Sequence, residues 1–439
     1  MSAYTASIPN AGNINRVEFD NGLVLLVYEN RAVESVNITA SIHAGSIYER
    51  PERSGLASLV SSALLTGTQQ RNFDEIHASL ESIGAELSMR GHIHKLGLFG
   101  KALAEDLRPL LETASEALSY PTFPAEHVER LRGERLTWLQ YSSFDTRYRA
   151  SKAMRQALYP ASHPYHYGTY GDEETIAAVS QADLSTFHAN HVGPDGMILV
   201  IVGHVDTEDA LRLVRETLGD WRNPEQAEVA RADFLDAPGA TERQTVFVPG
   251  KTQCDISMGA LGPARAAPDY LAAQIANSVL GEFGMMGRIG KSVREEQGLA
   301  YYAYSHLGGG HGPDPWIVSA GVNPDNVEQA IDSILWEVER LVSEAVADED
   351  LADNQSYFTG RLPLRLESNE GISSQIHAME SYNLGLNYLA EYKDMIFRIS
   401  KDDVLNAAQH YLDPKNMVIA VAGPQPDAST ARNTQTREK

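Results

Sequence analysis

The alternation of apolar and polar positions predicts short strands and amphipathic helices from the beginning of the chain. Residues Val17 to Tyr28 fit a strand pair around the turn Asp20-Asn21-Gly22, and Val36 to Ala44 fit a further strand. Apolar side chains recur at helical spacing between Gly55 and Leu65, which predicts a helix. The same reasoning predicts a strand over Ile93 to Phe99 and helices over Leu103 to Leu118 and Ala125 to Tyr141.

The second half of the chain shows the same mixture of elements. A strand pair is predicted first, and a strand hairpin between helices follows it. The predicted strands are Thr245–Val248, Asp255–Ala260, Ala300–Leu307 and Trp316–Val322, and the predicted helices are Tyr270–Leu280, Arg288–Glu296 and Asn326–Glu344. Hairpins and segregated helices favour an α+β fold with mainly antiparallel sheets and helices packed on one face, and disfavour a parallel doubly wound sheet.

An internal repeat relates the two halves. A helix, a Pro turn and a six-residue apolar strand that ends in Gly occur twice, 220 residues apart. The matched positions are Asp183 with Asp403, Pro194 with Pro414, Met197 with Met417, and Gly203 with Gly423. A constant offset close to half the chain favours duplication over two unrelated strands with similar turns.

The repeat predicts two homologous domains, residues 1–222 and 243–424. The Pro-, Ala- and acid-rich stretch 223–242 is typical of a linker. Residues 425–439 are polar and are predicted to form a loose tail.

Composition narrows the function classes. The 439 residues include 59 acidic and 36 basic side chains, for a formal net charge of −23, so nucleic acid is not an expected partner. The single cysteine, Cys254, can form neither an intrachain disulfide nor a cysteine-based zinc site. The N-terminus lacks a signal-peptide pattern, and apolar runs such as Met197 to Val202 are too short for a membrane span, so we expect a cytoplasmic protein with no membrane contact.

Two stretches carry a family resemblance. Gly45-Ser46-Ile47-Tyr48-Glu49 followed by the segment Gly55–Thr68 is similar to the N-terminal motif of the pitrilysin/insulinase-type zinc metallopeptidases, in which the helix contains His-x-x-Glu-His. The segments Gly281–Arg288 and Val293–Tyr301 resemble the Arg-x₆-Tyr motif of that family's C-terminal domains. The resemblance spans nearly the whole chain in order, and duplication is also a property of the family.

The resemblance also identifies what this sequence lacks. The two zinc-binding His positions fall on Ser58 and Ser62, and the general-base Glu position falls on Ser61. The family's third zinc ligand aligns near Trp138, and the nearest acid, Glu134, lies one helical turn away. A serine hydroxyl is neutral at pH 7 and is a poor zinc ligand, so we expect no metal site in this chain.

Arg294 and Tyr301, by contrast, match the family motif. In the family, this pair and the zinc lie on opposite walls of a clamshell made of two half-shells. The resemblance therefore implies a non-catalytic subunit, one half of a clamshell, that binds peptide substrate through Arg294 and Tyr301. Its expected partner is a homologous subunit that carries zinc.

Other function classes remain open. Such a chain could be a peptidase-derived structural or assembly subunit, or a peptide-binding homodimer with no proteolytic role. An independent hydrolase that uses a serine or another metal is disfavoured because no Gly-x-Ser-x-Gly elbow surrounds the serines.

Several smaller features have a functional and a structural interpretation. His92 and His94 could bind a metal from one strand face, although an exposed sheet face is favoured. For His163 and His166, packing or turn roles are favoured over ligation. The run Gly308–Gly312 could suggest a phosphate loop, but no helix or Lys-Ser/Thr follows it, which favours a flexible hairpin loop. The acidic charge could line a chamber, although general surface charge is the favoured interpretation.

Overall fold

The computed structural model describes residues 8–232, 235, 239–282 and 287–424. The predicted tail 425–439, part of the predicted linker and residues 283–286 of the second motif lie outside the described residues. In the first half the elements are β1 (Asn15–Glu18), β2 (Val24–Glu29), β3 (Ser35–Ile42), α1 (Leu56–Ala63), α2 (Phe73–Ser82), β4 (Glu86–Gly91), β5 (Leu96–Leu103), α3 (Leu107–Ser119), α4 (Ala125–Ser143), α5 (Thr146–Leu158), α6 (Glu173–Ala177), α7 (Gln181–His191), β6 (Ile198–Gly203) and α8 (Thr207–Leu218).

The second half repeats the mixture of strands and helices. Its elements are β7 (Glu242–Phe247), β8 (Cys254–Leu261), α9 (Tyr270–Asn277), two π-helical segments (Ser278–Glu282 and Gly290–Glu296), β9 (Ala300–Leu307), β10 (Pro315–Val322), α10 (Val327–Ser343), α11 (Asp348–Arg365), α12 (Asn369–Ser381), α13 (Tyr388–Arg398), α14 (Lys401–Tyr411) and β11 (Val418–Gly423). The hairpin of β9 and β10 and the helix α10 confirm the corresponding predictions to within one residue. None of the described helices is both long and apolar enough to cross a bilayer.

Two mainly antiparallel sheets form the fold and confirm the predicted α+β class. The first has the strand order β1-β2-β6-β3-β5-β4, and the second has the order β7-β11-β8-β10-β9. Each sheet contains one parallel pair, β2 with β6 and β7 with β11, and its other pairs are antiparallel. Apart from the additional edge strand β1, the two sheets therefore have the same topology, as expected of a duplication.

The two copies of the repeated segment also have the same local structure. Strands β6 and β11 are both six-residue buried strands, and they occupy equivalent positions in the two sheets. The helices that precede them, α7 and α14, begin with the same capping box, Ser180 with Asp183 and Ser400 with Asp403. In such a box the serine side chain accepts from the third helical N–H and the acid accepts from the serine N–H, which fixes where the helix begins.

The chain forms two compact units that are not contiguous in sequence. Unit 1 takes its described residues from 1–138, 167–232 and 358–395, and unit 2 from 139–166, 233–357 and 396–439. Helix α5 comes from the first half of the chain and packs on β8 and β11 in unit 2. Helix α12 comes from the second half and packs on β3 and β6 in unit 1. Each unit thus contains one sheet and a helix from the other half of the sequence.

Helix α12 packs on the polar face of its sheet. In unit 1, Thr39 and Ser41 of β3 hydrogen-bond Ser373 and His377 of α12, at 2.8 Å and 2.7 Å. The alternate residues of β3 are buried and apolar, and Ile38 lies near Leu110 of α3, where a Cβ on Gly100 would touch both side chains. Successive strand residues face opposite sides, so most helices cover one face and α12 covers the other.

Two predictions about strands were wrong. The strand predicted over Ile93 to Phe99 begins only at Leu96, because the N–H of His92 donates to the carbonyl of Lys95 at 2.8 Å and closes a turn. The neighbouring strand β4 was not predicted. In the second half, β7 and β8 do not pair with each other, because β11 lies between them. The pairing of a distant strand cannot be inferred from local alternation.

Candidate functional site

Helix α1 carries the three serines at the positions that are similar to a zinc motif. The helix begins after Gly55, whose φ of +94° is a left-handed conformation that favours glycine. Ser58 and Ser61 are buried, whereas Ser62 is exposed. Strand β4 approaches this helix so closely that a Cβ on Gly91 would lie 2.9 Å from the Ser58 Cα. A glycine at this position therefore permits the close packing of α1 against the sheet edge.

Each serine hydroxyl is engaged in a hydrogen bond. Ser61 Oγ donates to the Ala57 carbonyl at 2.8 Å, and Ser62 Oγ donates to the Ser58 carbonyl at 2.9 Å. Such bonds to the preceding helical turn are common for serine and do not activate the oxygen. Ser58 Oγ accepts from Arg135 Nη2 at 3.1 Å. The geometry supports the structural interpretation of this cluster and gives no evidence of a nucleophile.

Arg135 was not singled out by the sequence reasoning. It lies on α4 one turn before Trp138, and its guanidinium carbon is 4.7 Å from the centre of the Tyr170 ring. Trp138 packs against the same tyrosine with a centroid separation of 5.1 Å, and its side chain is 40% exposed. Trp138, which aligns near the third zinc ligand, thus lies close to helix α1. It contributes an indole, and the neighbouring Arg135 contributes a guanidinium. The sequence feature that could have identified Arg135 is its spacing of three residues from Trp138, which makes the two side chains neighbours on the helix surface.

Glu49 holds the start of α1. Its carboxyl oxygens accept from the N–H groups of Gly55 and Ala57 at 2.9 Å and 2.6 Å. Burial of the carboxyl group raises the pKa of Glu49 to about 8, against the lowering effects of these two bonds and of the Arg135 charge. The Glu49 carboxyl group is therefore engaged in capping the helix.

The residues at the family's zinc positions do not fit a zinc ion. They offer two hydroxyls and an indole, and the general-base position offers a third hydroxyl, whereas zinc in proteins is bound by imidazole, thiolate and carboxylate. The Arg135 guanidinium at Ser58 places a positive charge where a cation would have to bind. Within residues 8–232, 235, 239–282 and 287–424, no three His, Cys, Asp or Glu side chains come together as a metal-binding group.

Arg294 and Tyr301 lie in unit 2, on either side of a short turn. Arg294 belongs to the π-helical segment Gly290–Glu296, and Tyr301 is the second residue of β9. The Leu299 N–H donates to the Val293 carbonyl at 2.9 Å and closes the turn between them, and Gly298 in it has a φ of +62°. Both side chains are exposed, and Tyr301 reaches 80%. In the described part of the chain, neither side chain forms a hydrogen bond or an ion pair.

A β-bulge brings Tyr301 to the surface. Strand β9 is the edge of its sheet, and Tyr302 and Ala300 pair with consecutive residues of β10, Gly321 and Val322. Tyr301 is thus an extra residue with no partner on β10. Bulges at sheet edges commonly re-aim a side chain, and this one frees Tyr301 from the regular alternation. Sequence alternation alone could not have predicted the bulge.

The remaining candidates have structural environments. His92 and His94 lie in the turn between β4 and β5, so the prediction that they share a strand face was wrong. His163 is buried, stacks on Tyr159 at a centroid separation of 5.1 Å and accepts from the Tyr165 N–H at 3.2 Å. His166 bonds the Tyr159 carbonyl at 2.7 Å. These contacts confirm the packing and turn roles predicted for His163 and His166.

The glycine-rich loop joins β9 to β10, as predicted. Its Gly309 and Gly310 N–H groups donate to the Asp314 carboxylate, and burial raises the pKa of that carboxyl group. A Cβ on Gly308 or Gly310 would lie 2.4 Å or 2.5 Å from Asp314 atoms. A carboxylate of the protein therefore already uses the N–H groups that a phosphate would need.

Two family models match this chain. The model described as insulinase, peptidase family M16, matches residues 24–163, and the model described as peptidase M16 inactive domain matches residues 178–357. The first match covers the serine helix, and the second covers Arg294 and Tyr301.

Curated relatives match over most of their length. An uncharacterized zinc protease of Streptomyces coelicolor is 23% identical over 427 residues, which cover 96% of this chain and 92% of the relative. A second uncharacterized zinc protease, from Bacillus subtilis, is 22% identical over 82% of this chain and 87% of its own length.

Solved structures share the fold. A peptidase M16 inactive domain from Pseudomonas fluorescens superposes with a TM-score of 0.87 at 24% identity, covering 94% of this chain and 98% of its own. A protease from Helicobacter pylori gives a TM-score of 0.87 at 17% identity, covering 95% of this chain and 100% of its own. With M16 models matched to residues 24–163 and 178–357, which together make up most of its length, the chain belongs to the insulinase family of peptidases, M16.

Proposed function

We propose that this chain is the non-catalytic subunit of a heterodimeric M16 peptidase. A homologous subunit supplies the zinc and the general base, and this chain supplies Arg294 and Tyr301 to the peptide substrate. The observation that carries the proposal is an asymmetry between the two motifs. Every zinc-motif position holds a side chain that does not fit zinc, whereas Arg294 and Tyr301 are retained, exposed and free of partners among the described residues.

The chemistry of the pair suits this role. A guanidinium and a phenol both donate hydrogen bonds and can bind the carbonyl oxygens of a peptide. Donors held in place before the reaction also stabilise the negative charge that develops on an oxygen in the transition state. Because exposed Arg and Tyr side chains on a helical segment and a bulge contribute little to packing, their retention favours contact with a ligand over a role in stability.

Co-purification with a zinc-bearing homologue tests the proposal. The homologue to use is an M16 chain with His-x-x-Glu-His from the same genome, expressed with this chain and separately. We expect about one zinc per heterodimer and cleavage of a generic fluorogenic peptide only in the mixture, because each chain alone lacks half of the site.

The activities of each chain alone distinguish the proposed function from its alternatives. Peptide cleavage by this chain alone would contradict the proposal and favour an independent hydrolase. A partner that is fully active alone and unaffected by this chain would instead favour a structural or peptide-binding role. The unmixed partner at the same zinc concentration is the matched control.

A further inference from the structure

Arg147 at the start of α5 is exposed, and it is held on its strand neighbour by two contacts. Its Nε donates to the Tyr302 hydroxyl at 3.0 Å, and its guanidinium carbon lies 4.1 Å from the centre of the Tyr302 ring. Exposed arginines normally sample many rotamers, and fixing one of them costs conformational entropy. Here the fold has already ordered the side chain.

Tyr302 is in turn held by contacts with β8 and β10. Its hydroxyl donates to the carboxylate of Asp255, a buried residue of β8 that also accepts from the Thr146 hydroxyl. A phenol has one proton, and Tyr302 gives it to Asp255, so the oxygen accepts from Arg147. On the other side, a Cβ on Gly321 would lie 2.4 Å from Tyr302 Cε1, which shows that the ring lies directly over that glycine. Burial and the Asp255 bond raise the pKa of Tyr302, so the phenol remains protonated at neutral pH.

This arrangement leaves the outer edge of the guanidinium available. Within the part of the chain that the structure describes, Nη1 and Nη2 of Arg147 form no hydrogen bond or ion pair. The Asp255 carboxylate is occupied by two hydroxyl donors. Two parallel N–H groups on a planar guanidinium match the two oxygens of a carboxylate.

The position of Arg147 connects the outer edge of its guanidinium to the proposed function. Tyr302 follows Tyr301 in β9, so Arg147 is held at the same end of the edge strand as the exposed phenol. We propose that Arg147 binds a carboxylate of the peptide that contacts Tyr301, either an acidic side chain or the peptide's C-terminus. The inference rests on the proposed function for the peptide, and it adds a substrate class, peptides that present a carboxylate next to the residue bound at Tyr301.

Peptide binding to the purified full chain tests this site without the partner. The probes are fluorescein-labelled nine-residue peptides in pairs, with Glu at one position in the first and Gln in the second, all with amidated C-termini. One further pair differs only in a free or amidated C-terminus. Fluorescence anisotropy should show that at least one charged peptide binds about tenfold more tightly than its neutral twin, because a charge-assisted bidentate pair forms only with the charged one.

Substitutions test whether the preference for charged peptides depends on Arg147. Arg147→Gln should abolish the preference and leave the affinity for neutral peptides unchanged. Tyr302→Phe should reduce it, because the ring remains but the Nε acceptor is lost. Arg265→Gln is the matched control, since Arg265 also lies over a tyrosine of unit 2, with 4.5 Å between its guanidinium carbon and the Tyr270 ring. A cooperative thermal unfolding transition in each variant verifies that the variants fold.

The outcomes separate this inference from the proposed function. Equal affinities within every pair, or a preference that survives Arg147→Gln, would overturn the carboxylate site. A preference confined to the Glu/Gln pairs assigns the site to acidic side chains, and one confined to the terminal pair assigns it to the C-terminus. If the preference depends on Arg147 but the heterodimer shows no cleavage, the carboxylate site stands and the peptidase role fails.

Discussion

At the scale of single residues, each of the three serine hydroxyls of α1 forms a hydrogen bond within the protein. The hydroxyls of Ser61 and Ser62 donate to carbonyl groups of their own helix, and Arg135 of α4 donates to the hydroxyl of Ser58. The helix packs closely because Gly91 permits the approach of β4 to the Ser58 backbone. This backbone contact does not depend on the side chains at the three serine positions.

Glu49 gives a prediction about pH at the same scale. Its pKa is raised from 4.5 to about 8 in the folded protein, so the folded state retains a proton that the unfolded state has lost. Stability should therefore fall as pH rises from about 4.5 to 8, by up to about 1.4 kcal/mol per pH unit. Glu49→Gln should flatten this part of a curve of unfolding free energy against pH, measured by urea denaturation.

The control for this prediction is Glu52→Gln, an exposed glutamate nearby. Its curve should follow the wild type. Parallel curves for Glu49→Gln and wild type would show that the Glu49 carboxyl group does not titrate in this range.

At the scale of elements, the edge strand β9 depends on a glycine in its neighbour. Gly321→Ala should destabilise the protein by about 1–3 kcal/mol, because the new Cβ would lie 2.4 Å from Tyr302 and 2.7 Å from Gln253. Urea denaturation measures the change. Gly360→Ala, in α11 with nothing within 4 Å of the new Cβ, should instead be neutral or stabilising. Equal effects of the two substitutions would contradict the packing of Tyr302 over Gly321.

The repeated capping box gives a second prediction about elements. Ser180→Ala and Ser400→Ala should each destabilise by about 1 kcal/mol, because both remove the N-cap acceptor of equivalent helices. The control is Ser185→Ala, within α7, whose hydroxyl bonds only its own helix at 3.2 Å. Thermal or urea unfolding compares the three variants. A loss at only one of the two caps would show that the two copies have diverged energetically.

At the scale of the whole molecule, the duplication could be predicted from sequence and the exchange of helices could not. The offset of 220 residues predicted equivalent strands, and β6 and β11 occupy equivalent positions in their sheets. That α5 packs on the second sheet and α12 on the first depends on contacts between residues far apart in sequence. Periodicity within a short window contains no information about such partners.

The same limit applies to the candidate site. The serines and the Arg294–Tyr301 pair could be identified from motif spacing, because spacing on a helix or a turn is local. Arg135, the bulge at Tyr301 and the Asp255–Tyr302–Arg147 chain of contacts could not, because each depends on which distant element packs beside it.

The most direct test of the central claim is turnover by the heterodimer with substitutions in this chain only. Arg294→Ala and Tyr301→Phe should each lower kcat by about 10²-fold, because each removes a donor to the peptide while the partner's zinc content stays the same. Tyr304→Phe, on the same strand, should have little effect. Unchanged kcat in both Arg294→Ala and Tyr301→Phe, with zinc and assembly intact, would contradict the role proposed for this chain.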